Sequence, residues 1–118
     1  LVGRVSLGGQ TFMMTGDMSE DANSIICKLY GAYLKSDIVQ VAHHGYFGGT
    51  TQFYSYVNPR WAFWPINASE YEKLKSNARN EYFFKNKVEG VFVAKFKTYA
   101  VNIPFDGTNM TVSDNKLY

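Results

Sequence analysis

The sequence predicts an α/β fold with a mixed β-sheet, from three observations. Short apolar runs bounded by turn residues are typical of buried strands, and four occur here, at residues 2–7, 11–14, 37–42 and 61–64. Apolar residues at helical spacing lie between the second and third runs, which indicates a helix packed on the sheet. The Gly8-Gly9 dipeptide separates the first two runs and supplies the positive φ angles of a tight hairpin.

The first helix has clear boundary signals. Ser19 is a suitable N-cap, negative charge follows it in the first turn, and Gly31 is the expected stop. We expect one apolar face to contact the sheet, formed by Ala22, Ile25, Ile26, Leu29 and Tyr30. Cys27 lies off that stripe, and we interpret it as a structural thiol.

The second half of the chain continues the alternation of helix and strand. A short helix from Thr50 or Thr51 to Val57 precedes the strand Trp61–Trp64, whose aromatic residues are expected to be buried on both faces. A base-stacking surface is the alternative, but no lysine or arginine is interleaved with these rings.

The carboxyl-terminal part is expected to contain one more helix and then strands. Ser69 is the predicted N-cap of that helix, with Tyr71, Leu74, Ala78 and Tyr82 on one face. After Gly90 the period changes to alternation, which predicts a β meander from runs at residues 91–96, 98–105 and 110–112.

Composition limits the class of protein. A chain of 118 residues with 46% hydrophobic and 17% aromatic residues can form one small folded unit, spanning residues 1–118, and is not a disordered segment. The formal charge of +2 is too small to indicate nucleic-acid binding by itself. One cysteine excludes an internal disulfide, and no apolar run is long enough for a membrane segment.

Two short stretches contain residue types that can bind metals. Thr15-Gly16-Asp17 and His43-His44-Gly45 each follow a predicted strand. The carboxyl ends of strands in open α/β sheets meet at the rim where such sheets build sites. A carboxylate and an imidazole there can ligate one cation such as zinc. Alone, a Gly-Asp pair is usually a turn and a His pair can simply cap a strand end.

The order of these stretches, with an amphipathic helix between them and residues 34–45 ending in His43-His44-Gly45, resembles the metallo-β-lactamase superfamily. The nearest branch is the hydrolase domain of DNA-uptake competence proteins, together with phosphorylcholine esterases. The resemblance continues through residues 51–62, a short helix, a proline turn and a strand. It implies the carboxyl-terminal half of an αββα sandwich, a mixed sheet with helices on one face.

The resemblance also implies roles for individual residues. Asp17 would bridge two divalent metal ions, expected to be zinc, and His43 would ligate one of them. His44 would face the substrate as a catalytic residue that stabilises an oxyanion or protonates a leaving group. Tyr46 stands where the family has a small hydroxyl residue, so it is either a substrate contact or a packing residue.

Most of the family's metal ligands are missing from this sequence. Its His-x-His-x-Asp-His motif belongs to the amino-terminal half of the domain, and the two histidines here are His43 and His44. The chain also opens inside a predicted strand without an initiating methionine. We therefore expect a carboxyl-terminal piece whose partner is the amino-terminal half of the same domain, and which alone binds metal weakly or not at all.

The function that follows is metal-dependent hydrolysis of a phosphodiester or related ester, in a small molecule or a polymer. A non-catalytic, degenerate binding or assembly module is the alternative from another class. Nucleic-acid binding without catalysis is a third hypothesis. Because the second sheet of the family packs on the apolar face, we expect that face to be exposed here and able to support a homo-oligomer.

Overall fold

A computed structural model describes residues 1–86, 88–94, 98–102, 104 and 111–115. The strands are β1 (Gly3–Leu7), β2 (Gln10–Met14), β3 (Ile38–Gln40), β4 (Trp61–Trp64), β5 (Gly90–Val93), β6 (Thr98–Asn102) and β7 (Thr111–Asn115). The helices are α1 (Glu20–Tyr30), α2 (Thr51–Val57), α3 (Ala68–Leu74) and α4 (Tyr82–Lys85), with 3₁₀ turns at Gly31–Leu34 and Ala42–Gly45. Among the described helices, none has the length and apolarity needed to cross a membrane.

The central element is a five-stranded mixed sheet in the order β1-β2-β3-β4-β5. β1 is antiparallel to β2, and the remaining neighbours pair in parallel. The radius of gyration is 13.9 Å, close to the value of about 13.5 Å expected for a compact chain of this length. The predicted α/β class with a mixed sheet is confirmed.

The local signals at the hairpin and at the ends of α1 are confirmed. Gly8 and Gly9 have φ angles of 56° and 76°, which the two-residue turn between β1 and β2 requires. The Ser19 hydroxyl accepts a hydrogen bond from the Ala22 N–H at 3.2 Å. At the other end, the Gly31 N–H donates to the Cys27 carbonyl.

The predicted inward face of α1 is right in part, because Ala22 and Ile26 pack against the core, but Ile25, Leu29 and Tyr30 are exposed. Ile25 and Leu29 are 58% and 66% exposed, whereas Asn23 and Cys27 are buried. The rotation follows from Asn23, whose side-chain amide lies 3.2 Å from the Thr50 hydroxyl at the start of α2. A pattern based on apolar residues misses a helix whose orientation is fixed by a buried amide. Burial also raises the pKa of the Cys27 thiol.

One face of the sheet forms the core together with the helices. Its buried strand side chains are Met13, Val39, Ala62 and Trp64. Residues of α1, α2 and α4 complete the same cluster, namely Cys27, Phe53, Tyr54, Val57 and Phe83. The apolar contacts between sheet and helices therefore stabilise the platform on which the candidate site is built.

The opposite face of the sheet is also apolar. Strand alternation and register place on it Val5, Leu7, Phe12, Met14, Ile38, Trp61, Phe63 and Phe92. Phe63 and Phe92 stack with their centroids 5.1 Å apart, and Tyr99 of β6 contacts Phe92 at 5.4 Å. Toward β1 the face is open, since Val5 and Leu7 are 49% and 46% exposed.

The predicted third helix is split. Asn67, rather than Ser69, caps α3 by accepting from the Glu70 N–H at 3.0 Å, and α3 ends at Leu74. The Asn77 side chain accepts from the Arg79 N–H at 3.2 Å and so competes with helix continuation. The predicted single helical face from Tyr71 to Tyr82 is therefore wrong.

The predicted β meander is wrong in its first strand. β5 pairs in parallel with β4 and belongs to the main sheet. β6 and β7 form a separate antiparallel pair. The predicted strand residues at positions 95, 96, 103, 105 and 110 lie outside the described residues.

The open apolar face predicts concentration-dependent self-association. Val5→Lys combined with Leu7→Lys places two charges on this face and should reduce association measured by sedimentation or solution scattering. Ser6→Lys is the matched control, because Ser6 lies on the same strand, is exposed and belongs to the other face. A wild-type chain that stays monomeric at all concentrations would contradict the expectation.

Candidate functional site

The two metal-capable stretches meet at the carboxyl edge of the sheet. Because β2 and β3 are parallel neighbours, the turn after each strand lies at the same edge. The His43 N–H donates to the Gly16 carbonyl at 2.9 Å, which joins the two turns directly. The expectation that these stretches come together is confirmed.

Buried hydrogen bonds next to this contact fix the position of each turn relative to the neighbouring strand. The fully buried Thr15 hydroxyl donates to the Gln40 carbonyl at 2.9 Å. The Val41 N–H donates to the Phe63 carbonyl at 2.8 Å, which ties the segment after β3 to β4. Each turn is thus anchored to its neighbouring strand before it reaches the site.

The structure places His44 beside Asp17. The His44 Nε2 atom lies 3.5 Å from an Asp17 carboxylate oxygen, and both side chains are substantially exposed. The His44 Nδ1 atom lies 2.6 Å from the Pro65 carbonyl oxygen. Since a carbonyl only accepts, Nδ1 carries a proton, and Nε2 is the ring nitrogen that faces Asp17.

His43 has a different environment. Its Nδ1 atom is buried and has no hydrogen-bond partner in the part of the chain that the structure describes. Its ring edge lies against Tyr46 and Phe47, with centroids 6.4 Å and 5.9 Å away. Of the two histidines, His44 is the one whose ring reaches Asp17, and metal ligation by His43 stays a prediction.

The two histidines have an unusual backbone. His43 and His44 have φ angles of 46° and 53°, in the left-handed region. For residues with a side chain this conformation costs roughly 1–2 kcal/mol each. It directs the two adjacent imidazoles to different surroundings, and it persists only if neighbouring groups hold it.

Three hydrogen bonds between this turn and core residues hold it in place. The Trp64 indole N–H donates to the His44 carbonyl at 2.7 Å. The Asn80 side-chain amide donates to the Gly45 carbonyl at 2.8 Å. The Ala42 N–H donates to the Tyr54 hydroxyl oxygen at 3.1 Å, within the core.

Gly45 must be glycine for two reasons. Its φ angle of 89° is unfavourable for other residues. A Cβ atom there would also lie 2.6 Å from a ring carbon of Trp64. Close approach of the turn to the indole is what allows the Trp64 hydrogen bond to His44.

Tyr46 is engaged within the protein. Its hydroxyl donates to the Glu70 carboxylate, which also pairs with Lys73 at 2.6 Å. The hydrogen bond to Glu70 raises the Tyr46 pKa, and Lys73 together with Tyr46 lowers the Glu70 pKa. The hydroxyl therefore ties the loop after the histidines to α3, and a substrate contact by Tyr46 stays a prediction.

The site has only part of the donors that a catalytic metal needs. Within residues 1–86, 88–94, 98–102, 104 and 111–115, no group of three or more histidine, cysteine, aspartate or glutamate side chains is placed to hold a metal ion. Asp17 and His44 form a pair.

Sequence reasoning missed the residues that support the turn. The sequence predicts Trp64 only as a core residue, and it does not single out Asn80. Hydrogen bonds to backbone carbonyls across 20 and 35 positions leave no local sequence signal. Asn80 lies in the largely polar run at residues 75–81, where one more polar residue does not stand out.

Comparisons of the chain with family models, curated proteins and solved structures find no significant match. The resemblance to the metallo-β-lactamase superfamily therefore stays a prediction.

The crowding at Gly45 predicts that alanine variants at two glycines lose different amounts of stability. Gly45→Ala should destabilise the chain by more than Gly31→Ala. Gly31 also has a positive φ, 45°, but a Cβ atom added there would meet nothing within 4 Å. The Gly31 variant isolates the conformational cost, roughly 1–3 kcal/mol. Urea unfolding of both variants measures the difference, and equal losses would show that Trp64 does not constrain the turn.

Proposed function

We propose that this chain is the carboxyl-terminal half of a metal-dependent hydrolase of the metallo-β-lactamase superfamily, acting on a phosphodiester or related ester. Asp17 and His44 are the ligands that it contributes. The observation that carries the proposal is the His44 ring, with Nδ1 on the Pro65 carbonyl and Nε2 facing Asp17. This proposal gives His44 the ligand role that the resemblance implied for His43.

The geometry of the pair fits a metal. Histidine ligands commonly donate their second ring N–H to a backbone carbonyl, which fixes the tautomer, and His44 has this arrangement. Two ligand atoms on tetrahedral zinc, each about 2.1 Å from the ion, are about 3.4 Å apart. The 3.5 Å between His44 Nε2 and the Asp17 oxygen agrees with that spacing.

Two ligands are fewer than a catalytic site requires. Catalytic zinc takes three protein ligands and keeps one position open. We therefore propose that the remaining donors come from the amino-terminal half of the domain, outside this sequence. The apolar face with exposed Val5, Leu7 and Met14 is the surface on which its sheet would pack.

The chemistry divides between the bound ions and the residues of this chain. Two divalent ions, when bound, supply a nucleophile by lowering the pKa of water from about 15.7 to about 7. The Asp17 carboxylate offsets positive charge, and the Pro65 carbonyl keeps the His44 Nε2 lone pair available. His43 packs against Phe47 and Tyr46, so we assign it to the loop beside the site. The phosphodiester substrate rests on the resemblance alone.

A non-catalytic module is the second candidate, and one observation favours it. At 3.5 Å, protonated His44 and Asp17 can form an ion pair without any metal. In that case the pair would only stabilise the contact between the two turns. The apolar face would then serve assembly.

Metal content and turnover of the complete domain test the proposal. Asp17→Asn and His44→Ala should lower the metal affinity and the turnover, each by more than the roughly 10- to 100-fold typical of losing an outer partner of a ligand. His43→Ala should retain the metal, and Asp21→Asn, an exposed carboxylate on α1, is the matched charge control. Metal loss in His43→Ala but not in His44→Ala would return the ligand role to His43. Unchanged turnover in all variants would favour the non-catalytic module.

A further inference from the structure

We propose that Asn80 is a positioning residue, which holds the His43-His44-Gly45 turn in its left-handed form and so aims His44 at Asp17. The consequence for catalysis rests on the proposed function. The geometric part does not, because it concerns only the conformation of the turn.

Asn80 lies between α3 and α4 and is fully buried. Its side-chain nitrogen donates to the Gly45 carbonyl at 2.8 Å and to the Leu74 carbonyl at 2.9 Å. One amide group therefore uses both of its hydrogens, and it links the turn at the sheet edge to the end of α3.

The other end of the same amide has no partner. Asn80 Oδ1 is buried without a hydrogen bond in the described part of the chain. An unsatisfied buried acceptor costs roughly 1–3 kcal/mol. An apolar residue of similar size would avoid this cost. It could not donate the two hydrogen bonds that the Asn80 amide donates.

Trp64, the last residue of β4, holds the same turn from the sheet. Its indole donates to the His44 carbonyl, and Asn80 donates to the next carbonyl, that of Gly45. Fixing the carbonyls of His44 and Gly45 fixes the two peptide planes on either side of Gly45, the first of which directly follows His44. Pro65, which follows Trp64, then accepts from the His44 ring.

Removal of the Asn80 donors leaves the buried Gly45 carbonyl without that hydrogen bond. The cost of the two left-handed residues is then offset by fewer hydrogen bonds, and the turn can relax toward ordinary backbone angles. The His44 ring would lose its fixed contact with Pro65 and its direction toward Asp17.

Nitrogen NMR of the histidine rings tests the geometric part. In the wild-type chain, His44 should show one tautomer, protonated at Nδ1, and the Asn80 side-chain amide protons should exchange slowly. Asn80→Ala and the nearly isosteric Asn80→Asp should show mixed His44 tautomers. Val57→Ala is the control, because Val57 is equally buried but lies at the other end of the sheet, where its carbonyl accepts from the Ser36 N–H.

The same variants in the complete domain test the catalytic part. Turnover should fall roughly 10- to 100-fold in the Asn80 variants, with KM changed much less. An unchanged His44 tautomer in Asn80→Ala, or fast exchange of the Asn80 amide protons in the wild type, would overturn the proposal even if the variants fold poorly. Absence of turnover in the wild type would instead reject the proposed function and leave the NMR result to decide the role of Asn80.

Discussion

The candidate site depends on one backbone contact, the hydrogen bond from the His43 N–H to the Gly16 carbonyl at 2.9 Å. It forms because β2 and β3 pair in parallel, so that Met13 lies beside Val39 and the following turns face each other. A slip of one residue would turn these side chains to the other face of the sheet and separate the turns. Burial of this sheet face against the helices therefore sets the register and, through it, the site.

Core and site share the same residues. Trp64 and Asn80 are fully buried, yet each donates a hydrogen bond to the turn that carries His44. The core thus offsets the cost of two adjacent residues with positive φ. A substitution in the core can then alter the direction of an exposed imidazole without changing any residue at the surface.

Local chemistry made much of the fold predictable. Strand runs, the Gly8-Gly9 turn and the Ser19 cap depend on neighbours in sequence, so their patterns are visible there. The orientation of α1 could not be predicted in this way, because the buried Asn23 sets it through a partner 27 residues away. The meeting of the two motifs followed from strand order. Spacing could not decide between His43 and His44, since backbone angles determine which ring faces Asp17.

Anomalous scattering at the zinc absorption edge, from crystals of the proposed complete domain grown with zinc, shows which histidine binds the metal. We expect a zinc peak bound by Asp17 and by His44 Nε2 at about 2.0–2.2 Å, with His44 Nδ1 still on the Pro65 carbonyl. A zinc peak on His43, or no peak between Asp17 and His44, would contradict this expectation.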